Sequence, residues 1–358
     1  MGKILVVGGG GYVGSVLCRE LLDRGFAVKV ADRFYYGNAG LNDIKERIEI
    51  QTADLRALTP ADLENVDAVV NLGGLSNDPT AEYSPEANWD INALGAEHLA
   101  KLSREAGVRR YILASSASVY DLGSFDEDED VVQTEESKVK PKAAYAVSKL
   151  EAERRVLALA DKKFCPVILR KGTVYGFSPR MRYDLVVNTF VKDALSSGHI
   201  TLYYGGEMWR PMVEIHDVSR AYILAIQAPA EKVCAQVFNV VHRNFRISEV
   251  GLRVKQKLVQ MGVPTKIQVD YTYRGVRNYR VSGRKIRQVL GWNPVVTVDE
   301  SVEVMVGKIR ELGYTNFDHP RYYNIEWLKL LQETRGADPA GKQESIFSVS
   351  ANLPAHPA

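Results

Sequence analysis

A run of four glycines at residues 8–11, followed by Gly14, interrupts the chain directly after its first apolar segment. Residues 3–7 are short and apolar and end at these glycines, which predicts a buried parallel strand. Residues 12–24 carry apolar side chains at helical spacing, which predicts a helix that begins at the turn. A strand, a glycine-rich turn and a helix in this order are typical of an open parallel sheet with helices on both faces.

The spacing of Gly8, Gly11 and Gly14 predicts a site for the pyrophosphate of a dinucleotide. The first glycine permits the tight turn, the second lets the pyrophosphate approach the backbone, and the third lets the helix pack on the strand. The first helical turn, with Tyr12 and Val13, would then direct its N–H groups and its positive dipole end at the phosphates. We therefore expect all five residues to contact the cofactor.

Asp32 ends the second predicted strand, about twenty residues further along the chain. A carboxylate there accepts hydrogen bonds from the ribose hydroxyls and repels a 2′-phosphate, which favours NAD over NADP. Arg33 weakens this exclusion, because a guanidinium can accept the phosphate. Further cofactor contacts are expected after the third and fourth strands, at Asp54, Leu55, Leu72, Gly73 and Gly74.

Tyr145 and Lys149 stand four residues apart in a predicted helix, so they share one of its faces. A lysine ammonium can hold a tyrosine phenol near the pKa that proton transfer at neutral pH requires. The same spacing is also common on solvated helix faces. Ser116 ends the strand that begins near residue 110, where ligands of a doubly wound sheet lie. Ser116 or Ser118 could donate a hydrogen bond to a substrate oxygen, and a local hydroxyl cap is the alternative.

The alternation of strands and helices predicts a Rossmann-type α/β fold, a doubly wound parallel sheet with a smaller, discontinuous α/β substrate-binding lobe. The predicted strands of the sheet are residues 3–7, 27–31, 48–52, 68–72, 110–114 and 166–170. The NAD-binding domain would cover residues 1–170 with a return segment at about 213–240, and the substrate lobe 171–212 and 241–330. The tail, 336–358, is rich in Pro, Ser, Gly and Ala and is predicted to be disordered.

The composition excludes several classes of protein. Hydrophobic residues make up 46% and charged residues 25% of the 358 positions, as in ordinary soluble proteins. The net charge of +2 gives no reason to expect a nucleic-acid or membrane partner, and no apolar run is long enough to span a bilayer. The chain begins in a strand rather than a signal peptide. Its three separated cysteines suggest neither a metal site nor disulfides, so we expect a cytoplasmic protein.

With the glycine turn, the segment 116–120 and Tyr145-x-x-x-Lys149 in this order, the chain resembles the extended short-chain dehydrogenase/reductase family over roughly residues 3–330. Within it the chain is similar to sugar-nucleotide epimerases and dehydratases. The resemblance implies that Tyr145 removes a hydroxyl proton from the sugar. It also implies that Ser116 orients that hydroxyl, and that Lys149 stabilises the phenolate and binds the nicotinamide ribose. The sugar hydride would pass to NAD, giving a transient keto sugar and NADH, and an epimerase would return it to the other face.

The same resemblance implies contacts to the nucleotide part of the substrate. Arg210 falls in a family segment that grips the diphosphate, for which a guanidinium is suited. Arg277 is the best match for a second diphosphate arginine, with Arg274 as the alternative. Thr173 stands where many relatives place a substrate-binding asparagine. Asn188 is the best polar contact of its segment, with a buried structural asparagine as the alternative.

Ser76 and Asn77 follow the Gly73-Gly74 turn, where they would either contact the sugar or form a turn. Ala117 and Ser118 stand where 4,6-dehydratases carry an Asp–Glu pair for eliminating water, which disfavours elimination. We expect an epimerase. A dehydrogenase, reductase, dehydratase or decarboxylase on the same fold is the alternative, and a non-catalytic NAD-binding sensor is the alternative of another class. Relatives often form homodimers through two long helices, which residues 92–105 and 144–159 would allow.

Overall fold

The computed structural model describes residues 2–121, 131–272, 277–335 and 345–349. The strands in these ranges are β1 Lys3–Val7, β2 Ala27–Asp32, β3 Glu49–Thr52, β4 Ala68–Asn71, β5 Arg110–Ser116, β6 Val132–Gln133, β7 Cys165–Lys171, β8 Thr173–Tyr175, β9 His199–Tyr203, β10 Trp209–Glu214, β11 Gln236–Val240, β12 Arg243–Arg246, β13 Lys266–Asp270 and β14 Arg280–Val281. The α-helices are α1 Tyr12–Asp23, α2 Asp78–Tyr83, α3 Pro85–Trp89, α4 Gly95–Glu105, α5 Ala144–Leu157, α6 Val186–Ser197, α7 Ile215–Gln227, α8 Ala230–Val233, α9 Ile247–Gln260, α10 Arg284–Leu290, α11 Val298–Glu311 and α12 Asn324–Thr334.

The central sheet, as far as the structure describes it, has seven parallel strands in the order β11-β7-β5-β4-β1-β2-β3. Strand β1 pairs with β2 on one side and with β4 on the other. The chain therefore winds in opposite directions from β1, and a crevice opens at the carboxyl ends of β1 and β4. Strand β11 joins the far edge beside β7. This topology confirms the predicted doubly wound α/β fold.

Alternate side chains of β1 enter the two layers that cover the sheet, as the pleat of a strand requires. Ile4 and Val6 pack in the layer that includes α1 and α7. Leu5 and Val7 pack in the opposite layer, which includes α4, α5 and α12. Since both layers are apolar, the central strands of the sheet are buried on both faces, whereas the edge strand β3 is mostly exposed.

The smaller lobe is built around a separate apolar core that joins α6, α9 and α11. Strands β9 and β13 form a parallel pair in this lobe. Strand β10 pairs with β8 and β12 in a three-stranded sheet. Because β8 begins two residues after β7 ends, this small sheet is covalently tied to the carboxyl edge of the large one.

A short segment of the predicted disordered tail is packed against the large domain. Ile346 is fully buried and Phe347 is 5% exposed, in the layer that also contains Leu328 and Leu331 of α12. For residues 345–349 the prediction of disorder is therefore wrong, because two large apolar side chains outweigh the polar composition around them. The rest of the tail, 336–344 and 350–358, lies outside the described residues.

Helices long and apolar enough to cross a bilayer are absent from the described ranges. The longest helices there, α5, α9 and α11, have 14 residues each. The same ranges hold no group of three or more His, Cys, Asp or Glu side chains arranged to bind a metal ion.

Candidate active site

The glycine-rich turn brings β1 and α1 into close contact. Gly8 has a φ of +81°, a conformation that favours glycine. A Cβ atom at Gly14 would lie 2.3 Å from the carbonyl oxygen of Gly8, so helix and strand can approach this closely only without a side chain. Gly11 is the N-cap of α1 and supplies no capping side chain. The first N–H groups of the helix therefore remain for a ligand, which is the requirement for binding a pyrophosphate.

Asp32 ends β2 beside this turn. Its Oδ2 accepts a hydrogen bond from the Gly10 N–H at 2.9 Å, and its Oδ1 accepts one from the Phe34 N–H at 2.7 Å. Burial raises the pKa of Asp32, and the two backbone hydrogen bonds oppose that effect. Each carboxylate oxygen keeps a second acceptor position, which fits the ribose hydroxyls of a dinucleotide.

A pocket of about 330 Å³ connects the glycine turn to the proposed proton-transfer residues. The predicted cofactor residues that line it are Gly8, Gly11, Tyr12, Val13, Gly14, Asp32, Arg33, Asp54, Leu55, Leu72, Gly73, Gly74 and Tyr145. The predicted substrate residues that line it are Ser76, Asn77, Ser116, Thr173 and Arg277. Lys149 lies at its edge, with Nζ 3.3 Å from the point where a Cβ of Gly74 would stand. A floor of glycines with an acidic residue at one end fits a dinucleotide in an extended conformation.

Ser116, Tyr145 and Lys149 meet where β5 ends and α5 begins. The Ser116 hydroxyl lies close enough to Tyr145 to lower the pKa of the phenol, and Lys149 Nζ lies 5.9 Å from the centre of the Tyr145 ring. Burial raises the pKa of Tyr145, while the charge of Arg277 and the Ser116 hydrogen bond oppose the rise. Burial also lowers the pKa of Lys149 to about 8, against the opposite influence of Glu153. The three side chains therefore lie close enough together to take part in one proton transfer.

The Ser116 hydroxyl has a second partner, since its Oγ accepts a hydrogen bond from the Ser118 N–H at 3.1 Å. The local cap that the sequence offered as an alternative is thus formed as well. Ser118 itself is buried and does not line the pocket. Of the two serines, Ser116 is therefore the one in position to meet a substrate.

The two predicted diphosphate arginines occupy different positions. Arg277 lines the pocket and is ion-paired with Asp78 and with Asp121, the latter at 3.2 Å between Nε and Oδ2. Arg210 lies behind it and donates to the carbonyl oxygens of Trp209 and Arg277. Burial lowers the pKa of Arg210. The structure thus gives Arg210 the role of supporting the Arg277 backbone, while Arg274, the alternative, lies outside the described residues.

The predicted substrate contact at Asn188 is not available in this structure. The side chain is fully buried, and its Oδ1 accepts a hydrogen bond from the Gly176 N–H at 3.0 Å. Its Nδ2 donates to the Tyr12 hydroxyl at 3.1 Å and to the Arg182 carbonyl at 2.9 Å. All its polar atoms are therefore engaged between the two lobes, so the alternative of a buried structural asparagine describes it correctly.

Ser76 and Asn77 are both pocket and turn residues. Asn77 has a φ of +98° and caps α2, since its Oδ1 accepts a hydrogen bond from the Thr80 N–H at 3.1 Å. Ser76 Oγ accepts hydrogen bonds from Asn324 Nδ2 at 2.8 Å and from Arg182 Nη1 at 3.4 Å. A positive φ at a residue other than glycine is strained and is often found at functional sites.

Asp54 binds Arg56 rather than standing alone at the adenine end. The Arg56 Nε donates to Oδ1 at 2.9 Å and its Nη2 donates to Oδ2 at 2.8 Å. Although burial alone would raise it, these contacts hold the pKa of Asp54 below its usual value. The carboxylate is thus ionised and fixed, and its remaining acceptor positions face the pocket that Asp54 lines.

Three basic pocket residues were missed in the sequence. Lys171 is the last residue of β7 and lines the pocket, and burial, followed by the charge of Lys149, lowers its pKa to about 7. Arg182 forms a two-bond ion pair with Asp184, with both distances at 2.8 Å. Arg180 stacks on a tyrosine ring, and burial lowers its pKa to about 10. The signal for Lys171 was its place at a strand end, where ligands lie in this fold.

Known proteins are similar to this chain over most of its length. The model of the NAD dependent epimerase/dehydratase family matches residues 4–240. The UDP-N-acetyl-alpha-D-glucosaminuronate decarboxylase of Bacillus cytotoxicus is 24% identical to the chain, over 87% of this chain and 98% of that protein. The UDP-glucose 4-epimerase of Lactobacillus helveticus is 27% identical, over 82% and 92% respectively. The solved structure of MoeE5 in complex with UDP-glucuronic acid and NAD is 26% identical with a TM-score of 0.74, over 87% of this chain and 100% of that one.

The segment that matches the family model contains the glycine turn, Asp32, Ser116, Tyr145 and Lys149, and it extends to the last strand of the sheet. The match confirms the resemblance drawn from the motifs, and the NAD dependence of the family confirms the predicted cofactor. The relatives include an epimerase and a decarboxylase, so they agree on the scaffold and differ in the reaction. The chain belongs to the NAD-dependent epimerase/dehydratase family.

Proposed function

We propose that this protein is an NAD-dependent epimerase that acts on a nucleotide-diphosphate sugar. The observation that carries the proposal is that Ser116 and Tyr145 stand together at the pocket, with the buried amine of Lys149 5.9 Å from the centre of the tyrosine ring. A protein that only sensed the cofactor would not need a proton-transfer set of this kind.

The chain's own residues would move the proton in each direction. Tyr145, as phenolate, takes the proton of the sugar hydroxyl whose carbon is oxidised, and Ser116 holds that hydroxyl in place. Lys149 stabilises the phenolate by its charge. NAD, when bound, accepts the hydride of that carbon and later returns it. Tyr145 gives the proton back in the second half of the cycle, so the reaction consumes no external oxidant or reductant.

Arg277 and Arg182 are our candidates for the diphosphate of the substrate. Both line the pocket, and both are oriented by carboxylates, Arg277 by Asp78 and Arg182 by Asp184. A guanidinium has five N–H donors, so a carboxylate on one side leaves donors for phosphate oxygens on the other. Orientation in advance also reduces the entropy that binding would cost.

Two buried residues support epimerisation of the sugar rather than elimination of water from it. Ala117 and Ser118, which follow Ser116, are each 1% exposed, and neither has a side chain that could serve as a carboxylic acid. Asp78 does act electrostatically on Tyr145, but it is ion-paired with Arg277. A dehydratase needs a group that protonates the departing hydroxyl, and among the residues that the structure describes in this part of the site no carboxyl group is free of an ion pair.

Decarboxylation is the second candidate, and Lys171 favours it. Its ammonium enters the pocket near Lys149, where it could attract the carboxylate of a uronic acid sugar. Oxidation beside a carbon that bears a carboxylate gives a β-keto acid, which can lose CO₂. The relative from Bacillus cytotoxicus is named for such a reaction. Release of CO₂ from a uronic acid sugar would therefore favour this candidate.

The proposal is tested by incubating the purified protein with UDP-, GDP- and dTDP-sugars without added NAD. Proton NMR should show one sugar converted to its epimer, and denaturation should release NAD or NADH. Tyr145→Phe should abolish the conversion. Tyr271→Phe is the matched control, because Tyr271 is 66% exposed and should leave it unchanged. If no sugar of the three classes is converted and no nucleotide is released, the proposal is wrong.

We further propose a cytoplasmic homodimer that forms through α4 and α5. The two helices pack side by side, and Trp89 and Leu94, just before α4, are each more than one third exposed, which leaves apolar surface for a contact between two copies. Light scattering should give twice the mass of the chain, and Leu94→Glu should give a monomer. A monomeric parent protein would contradict the assembly.

A further inference from the structure

Residues 345–349, which we call the C-terminal strap, contact Arg33 and Tyr35, two residues that line the pocket beside Asp32. The side chain of Ile346 is buried and that of Phe347 packs edge-on against Tyr35, at 5.9 Å between ring centres. The Ile346 N–H donates to Gln332 Oε1 at 2.9 Å. Since burying a large apolar side chain contributes about 1.5–3 kcal/mol, the strap is held by its side chains and not only by its backbone.

The carbonyl oxygens of the strap bind Arg33, the residue next to Asp32. Arg33 Nη1 donates to the Val349 carbonyl at 3.0 Å, and Nη2 donates to the Ile346 carbonyl at 3.3 Å. The same guanidinium lies 3.9 Å from Asp54 Oδ2. The Arg33 guanidinium therefore already has partners, namely two carbonyl oxygens of the strap and the carboxylate of Asp54.

This engagement bears on the choice between NAD and NADP. In this fold a carboxylate at the end of the second strand binds the ribose hydroxyls, and an arginine nearby accommodates a 2′-phosphate. Here both residue types stand side by side, at Asp32 and Arg33, and both line the pocket. Without the strap, Arg33 would offer the two parallel donors that a phosphate prefers, and the discrimination would rest on Asp32 alone.

We propose that the C-terminal strap enforces the preference for NAD over NADP by holding Arg33 away from the position of the 2′-phosphate. A phosphate is a stronger acceptor than a carbonyl. To reach Arg33, however, it would have to displace Ile346 and Phe347 from the apolar layer in which they are buried. The packing of the strap therefore opposes binding of NADP, and it acts in addition to the charge of Asp32, which repels the 2′-phosphate. This inference is independent of the sugar reaction.

The test compares the dissociation constants of NAD⁺ and NADP⁺, measured by calorimetry on nucleotide-free protein. Ile346→Asp should release the strap, because an unpaired carboxylate does not tolerate its buried position. The ratio of the NADP⁺ to the NAD⁺ dissociation constant should then fall by about tenfold or more, the effect of one gained charged hydrogen bond. Adding Arg33→Ala to Ile346→Asp should restore the parent ratio.

Val349→Ala is the matched control, since it keeps the carbonyl that Arg33 uses and removes only a side chain that is 44% exposed. Its ratio should equal that of the parent protein. If Ile346→Asp does not fold, a chain ended after Arg335 removes the strap and serves the same test. An unchanged ratio in the strapless protein, or a fall that persists with Arg33→Ala, would overturn the proposal.

Discussion

Arg170 and Glu153 form a buried ion pair beneath the helix that carries Tyr145 and Lys149. Arg170 Nη2 and Glu153 Oε2 are 2.6 Å apart, and the two side chains are 6% and 2% exposed. Arg170 also donates to the Tyr120 hydroxyl at 2.7 Å. The pair joins α5 to β7, so it fixes the helix that carries Tyr145 and Lys149 against the sheet end at which Ser116 lies.

Breaking this buried ion pair should lower the free energy of unfolding far more than breaking an exposed ion pair. Arg170→Met leaves Glu153 buried without its partner, and we expect the free energy of unfolding to fall by about 3–5 kcal/mol. Arg104→Met is the matched control: its pair with Asp161 has the same 2.6 Å distance, but the side chains are 50% and 36% exposed, and the loss should stay under about 1 kcal/mol. Urea unfolding gives both values. If the two variants lose the same free energy of unfolding, the Arg170–Glu153 pair does not fix α5 against the sheet.

Replacing Lys149 should impair chemistry more than cofactor binding. Lys149→Met removes the charge that stabilises the Tyr145 phenolate, and we expect kcat to fall by about a hundredfold or more. NMR rate measurements on the converted sugar would show the loss, and mass spectrometry would show how much nucleotide the variant retains. The control is Lys101→Met, an exposed lysine of α4 paired with Glu97. Near-parental kcat for Lys149→Met would refute the assigned role.

Lys171 should make stability increase with pH in a defined window. Burial lowers its pKa from 10.5 to about 7, so between these values the unfolded state binds more protons and the free energy of unfolding rises with pH. Lys149 has a pKa of about 8, so it adds to this rise of the free energy of unfolding only above that pH. Lys171→Met should therefore flatten the rise throughout the interval from about pH 7 to about pH 10.5.

Urea midpoints at pH 7, 8 and 9 would measure this effect. The difference between parent and variant reports the titration of Lys171 together with its effect on Lys149, because the charges of the two lysines interact. Lys142→Met, which replaces an exposed lysine, should leave the pH dependence as it is. A parental slope in Lys171→Met would mean that Lys171 stays protonated in the folded protein.

The glycine turn should not tolerate even a methyl group. A Cβ at Gly14 would meet the Gly8 carbonyl oxygen at 2.3 Å, so Gly14→Ala should separate α1 from β1 and lose bound nucleotide. Gly307→Ala is the contrasting change: it lies within α11 with nothing within 4 Å of its Cβ. It should stabilise the protein by about 0.5–1 kcal/mol. Thermal unfolding and nucleotide content test both, and nucleotide retained in Gly14→Ala would contradict the assigned packing.

The sequence was informative where the signal is local. The turn at Gly8 and the spacing of Tyr145 and Lys149 are short patterns whose meaning follows from helix and strand geometry. The role of Asn188 could not be predicted, because its partners are contributed by three separate segments that only the fold brings together. The ion pair of Arg170 with Glu153 could not be predicted for the same reason.

The tail shows how composition can mislead over a short stretch. Ile346 and Phe347 are flanked by polar and small residues, and a composition average over the tail predicts disorder. Two large apolar side chains nevertheless find a place between α12 and Tyr35. Such a docking site belongs to another part of the chain, so no local pattern could have indicated it.

The most direct measurement of the central claim is proton NMR of the converted sugar in D₂O. If Tyr145 moves the hydroxyl proton while the carbon-bound hydrogen leaves and returns as hydride, the epimer forms with its original hydrogen at the inverted carbon, and Tyr145→Phe forms none. Solvent deuterium at the inverted carbon, or an unchanged rate in Tyr145→Phe, would contradict the mechanism.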